Sequence, residues 1–176
     1  MNPETKKRLL GNHCVVIKCD GGVEIKELLE GADVFKASKE IIGCDWIQHC
    51  VLQTVIKGDA GTTIDFLLNE NGYAEWGDDP SKVNLTATLL YNKGATDDIH
   101  YVLGDVVLCL CDMDRPDGGE FVGMSGGLAT LMATQTLAYS DRAKQMYTRP
   151  DKIPQPKISI MGFDNAEDFM NHLSGK

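Results

Sequence analysis

A chain of 176 residues, 43% of them hydrophobic, can bury one core without disulfide or metal staples. Its formal net charge of −9, from 26 acidic against 17 basic residues, repels phosphate backbones and anionic lipid, which argues against duplex nucleic acid and membrane as partners. No apolar run reaches the roughly 18 residues of a membrane span, and none of signal-peptide length follows the basic opening, so the expected location is a reducing cytoplasm.

In chain order, residues 1–11 are polar and are expected to be flexible. Residues 13–18 are short, apolar and β-branched and predict a strand, closed by the turn Asp20-Gly21-Gly22. Ile25, Leu28 and Leu29 among charges predict a short helix over 23–31. Asp33 caps a second helix, with Val34, Phe35, Ala37, Ile41 and Ile42 at helical spacing and Gly43 after its last turn. Residues 45–56 are apolar on both faces, as in the middle strand of a covered sheet. A turn at 58–61 leads into a strand over 62–68. Asn71-Gly72 predicts a type I′ hairpin with a return strand over 73–76.

Ser81 is the expected cap of a helix that ends near Gly94. Residues 99–111 form a long apolar strand, bent at Gly104-Asp105. A polar loop over 112–119 and a short strand over 120–124 follow, then a helix over 128–147. Residues 148–156 are a proline-rich connection to a C-terminal unit, a strand over 158–161 and a helix over 165–173. The elements do not alternate as in a doubly wound fold. They predict a single domain over 1–176, of α+β class, with a mixed, mainly antiparallel sheet and helices packed on one side.

Four stretches carry a resemblance. They are Ile41-Ile42-Gly43, Leu67-Leu68-Asn69-Glu70-Asn71-Gly72, Asn84-Leu85-Thr86-Ala87-Thr88 and Leu103-Gly104-Asp105-Val106-Val107-Leu108. In this order they resemble a family of small uncharacterised domains found largely on bacteriophages, plasmids and integrative conjugative elements, with scattered members in algae and large viruses. The resemblance covers roughly residues 34–125. Gln48 stands where members carry an acid, and Cys44 where they carry a second glycine. The resemblance implies a fold and a mobile-element or viral setting, and no activity.

The sharpest local motif is Gly123-Met124-Ser125-Gly126-Gly127, between a predicted strand and a predicted helix. It satisfies Gly-x-Ser-x-Gly, the nucleophile elbow, and Asp164 or Asp168 and then His172 follow in hydrolase order. Ser125 can equally cap the helix, and Gly123, Ser125, Gly126 and Gly127 could then present free N–H groups to an anion. Asp112, Asp114, Asp117 and Glu120 miss calcium-loop spacing and read as a solvated loop. The six cysteines mostly sit in apolar runs without Cys-x-x-Cys spacing, so they read as core thiols; no metal or other cofactor is expected. His49 and His100 could share a sheet face as a metal or acid–base pair, or simply pack. Trp46, Trp76 and Tyr73 suit either an aromatic surface or the core.

Three functions fit these readings. The first is a non-catalytic binding module for a protein or a small anionic ligand. The second is a serine hydrolase using Ser125, Asp168 and His172. The third is an acidic decoy that mimics nucleic acid. An exposed sheet edge would also let two copies pair as a homodimer.

Overall fold

The structure is a computed structural model that describes residues 3–56, 59–97, 99–114 and 119–154. Its elements are α1 (Pro3–Leu9), β1 (Leu10–Gly11), β2 (His13–Ile17), β3 (Val23–Glu27), α2 (Val34–Ile42), β4 (Ile47–Ile56), β5 (Asp59–Asn69), α3 (Gly72–Trp76), α4 (Leu85–Tyr91), β6 (Val106–Asp112), β7 (Glu120–Met124) and α5 (Gly126–Met146). Among the described residues, all the strand pairings are antiparallel. β4, β5 and β6 lie side by side. Beyond β6, β2 pairs with its first half and β7 with its second, and β3 and β1 flank those two.

The sheet forms around β6 because Val106-Val107-Leu108-Cys109-Leu110-Cys111 is buried at every position. Alternation sends Val106, Leu108 and Leu110 to one face, with Val15, Ile17, Ile64 and Phe66. There they meet Ala87 of α4 and Ala129, Met132 and Ala133 of α5. Val107 and Cys109 point the other way, with Cys14, Val16 and Leu67, under Val34 and Ile42 of α2. Each large aliphatic side chain buried this way contributes about 1.5–3 kcal/mol. The α+β class and the antiparallel sheet agree with the sequence. The two helices of the main core share one face as expected, and α2 covers part of the second, because a central strand apolar on both sides needs cover on both.

Several local expectations are corrected. Residues 3–11, given no element in the sequence reading, carry α1 and β1, which pairs with β7, and Leu9 and Leu10 pack against the core. The stretch read as a helix over 23–31 is strand β3, whose Val23 and Ile25 alternate with Glu24 and Lys26 opposite β2. β4 lies at the sheet edge, not in its middle, and Trp46 and Val51 beside and within it are exposed. Gly61, expected in a turn, lies within β5. Asn71-Gly72 makes no hairpin. Asn69 Oδ1 accepts the Asn71 N–H at 2.9 Å, and the chain turns into α3 with Asn71 at φ −91°, outside the left-handed region.

Asn84, not Ser81, caps α4: its Oδ1 accepts from Ala87 N–H, while its amide donates to Ile17 O and Gly104 O, each at 3.0 Å. The long strand expected over 99–111 is cut at Gly104, whose φ of +78° starts β6 afresh. The caps at Asp33 and Gly43 of α2 fall where the sequence puts them. The expected C-terminal strand and helix lie outside the described residues. Among the described residues, no helix is long and apolar enough to cross a membrane.

Candidate functional site

The Ser125 turn joins β7 to α5, as the motif requires. Ser125 has φ −61° and ψ 151°, ordinary extended backbone rather than the strained turn of a nucleophile elbow. Its Oγ accepts the Leu128 N–H at 3.4 Å, which makes it the N-cap of α5. Its own N–H donates to Leu9 O at 2.6 Å. Gly123 is fixed by crowding: a Cβ there would lie 2.5 Å from Gly11 O on the paired strand. Gly126 faces the His13 ring, and a Cβ on Gly127 would meet nothing within 4 Å. Asp164, Asp168 and His172 lie outside the described residues.

The turn therefore brings Gly123, Ser125 and Gly126 together with Gly11 and His13. The sequence does not signal His13, because only the register of β2 opposite Met124 places it there. His13 Nδ1 is buried without a hydrogen bond.

The other sequence candidates separate. His49 projects on the α2 side of the sheet, edge-on to Phe121, with its Nδ1 3.3 Å from Asp65 Oδ2. Asp65 is buried, and the Thr63 hydroxyl donates to its other oxygen at 2.5 Å. His100 stands edge-on to Tyr91 of α4 at 6.4 Å, on the opposite side of the sheet, so the two histidines form no pair. Asp112 and Asp114 both bind Lys6 of α1. Trp76 and Tyr73 join a small cluster around Val83, Leu103 and Ile153, while Trp46 stands apart.

The cysteines within the strands are fillers. Desolvation pushes the Cys14 and Cys111 thiols up to about 11, and burial raises Cys109 well above its usual range. Such thiols stay protonated and are poor nucleophiles at neutral pH. Among the described residues, no three potential metal ligands converge.

A pocket of about 260 Å³ opens where β4 begins, β5 ends and α3, α4 and residues 99–103 meet. Gln48, Glu70, Tyr73, Tyr91, His100 and Tyr101 contribute to its lining. The Tyr73 hydroxyl donates to Tyr101 O at 2.7 Å, which ties α3 to the opposite wall. Desolvation raises the Tyr73 and Tyr91 hydroxyls, so both stay neutral. Among the described residues, no lysine or arginine lines the pocket, and Glu70 is its one carboxylate. Three tyrosines and one acid supply aromatic rings and a negative charge, the groups that hold an organic cation. The sequence shows Tyr73 and Gln48 but not their meeting, which depends on α3 folding where a strand was expected.

No protein-family model, curated protein or solved structure matches this chain.

Proposed function

We propose that the chain is a non-catalytic binding module that holds a small organic cation in the tyrosine-lined pocket. The observation that carries this reading is the convergence of Glu70 and Tyr73 at the start of α3, Tyr91 of α4 and Tyr101, with no lysine or arginine among the described residues of the lining. The net charge of −9 adds to it, because an acidic surface raises the local concentration of cations. The volume suits a ligand of a few heavy atoms, since drug-sized ligands fill pockets of about 300–1,000 Å³. The sequence places a small anion at the Gly123–Gly127 turn; in this separate pocket the single carboxylate of Glu70 and the tyrosines favour a cation.

The other two readings draw less support. Ser125 serves as a cap in unstrained backbone. Asp65 and Asp112 are buried rather than arrayed on a surface as a nucleic-acid mimic requires.

Calorimetry with choline and with its neutral carbon isostere, 3,3-dimethylbutan-1-ol, tests the proposal. Choline should bind, and the isostere should bind at least tenfold more weakly, since a desolvated cation–π contact is worth up to about 2 kcal/mol. Tyr91→Leu and Glu70→Gln should each weaken choline binding while leaving the folded far-UV spectrum intact. Equal binding of both probes, or choline binding that neither variant changes, would overturn it.

A further inference from the structure

A second site lies between α4 and α5. Two adjoining hollows there, of about 210 and 340 Å³, share Leu90, Lys93 and Tyr139. Leu89, Leu52 and Met132 add apolar lining, beside the polar Gln135 and Thr136. Among the described residues, the charged ones in the lining are Lys93 and Arg142, and no acid lines either hollow. Neither cation forms an ion pair among the described residues. In a chain of net charge −9, a groove whose described lining holds two cations and no acid is unexpected on composition alone.

Lys93 carries a second, independent oddity. Its φ is +51°, and it is the one non-glycine residue with positive φ among the described residues. It follows the last turn of α4, where glycine or asparagine usually takes the left-handed position. A lysine near a helix C-terminus does gain from the dipole. That gain needs no strained backbone, because Asn92 one residue earlier offers the same dipole at φ −80°. A side chain kept in a rarely adopted conformation is a mark of a functional site.

We infer that this groove binds a small amphipathic anion, a carboxylate with a short aliphatic body, and that Lys93 and Arg142 hold the carboxylate while the leucines and Met132 bury the chain. The site is separate from the tyrosine pocket, which shares none of these residues.

The test compares octanoate below its micelle concentration with octan-1-ol, by calorimetry and thermal unfolding, on the full chain and on Lys93→Gly and Arg142→Gln. Octanoate should bind and raise the melting temperature, and octan-1-ol should bind at least tenfold more weakly. Lys93→Gly should weaken octanoate binding at least tenfold while melting no lower than the parent, because glycine is at ease at this φ. Arg142→Gln should weaken binding with the fold intact, and choline binding should stay unchanged in both variants. Absent octanoate binding, equal binding of the alcohol, or undiminished octanoate binding in both variants would overturn the assignment. A fall in stability on Lys93→Gly would also count against it, since it would give the lysine a structural reason to be there.

Discussion

At the scale of single residues, the molecule depends on a few positions that no substitute fits. Gly104 has a φ of +78°, and a Cβ on it would stand 2.4 Å from Cζ3 of Trp76. Gly31 has a φ of +73° but open space around it. Gly104→Ala should therefore cost about 3 kcal/mol or more, backbone strain plus a displaced tryptophan, and Gly31→Ala only about 1 kcal/mol. Urea titration of the two variants checks the difference. Asn84→Ala removes three hydrogen bonds at a buried site and strands two carbonyls and one N–H, so a loss of about 2–5 kcal/mol is expected in the same measurement. Ser125→Ala should cost about 1 kcal/mol, the worth of an N-cap. Caps of this kind are local, which is why Asp33, Gly43 and Ser125 were legible in the sequence. The Gly104–Trp76 contact spans 28 positions and was not: the sequence marks a bend there, and only the fold supplies the ring beneath it.

At the scale of elements, legibility followed period and length. α5 carries a long pattern and falls nearly where expected, while β6 keeps only the second part of the strand expected over 99–111. β3 was misread because Val23, Ile25 and Leu28 among charges satisfy a short helical pattern as well as an alternating one, and its pairing with β2 decides. α3 was misread because the Asx turn at Asn69 outcompetes the hairpin that Asn71-Gly72 would otherwise form. β4 is apolar on both faces yet lies at an edge, since strand order is set by partners far away in sequence. The strands also carry a pH signature. Unfolded thiols ionise near pH 9, whereas Cys14 and Cys111 in the folded chain ionise near about 11. Between those values the native state holds protons that the unfolded state has lost. The thiols' contribution should thus be level below about pH 8.5, and stability should fall above it, by about 1.4 kcal/mol per pH unit for each such thiol. Cys14→Ala should make the fall shallower by that amount, whatever it does to the baseline, in denaturant titrations from pH 8 to 11.

At the scale of the whole molecule, an antiparallel sheet holds one core under α4 and α5 and a smaller one under α2. The tyrosine pocket and the α4–α5 groove both open beside β4, where Gln48 lines the first and Leu52 the second. The candidate sites were largely illegible in the sequence, because each is assembled from segments that come together only in the fold. The Ser125 motif was visible for the opposite reason: its five residues are contiguous, and Ser125 answers to capping and Gly123 to strand crowding. Amide chemical-shift mapping during a titration with tetramethylammonium bears most directly on the central claim. Shifts confined to residue 48, to 68–73, to Tyr91 and to 99–103 are the predicted result; shifts centred on residues 123–127, or none at saturating concentration, would contradict it.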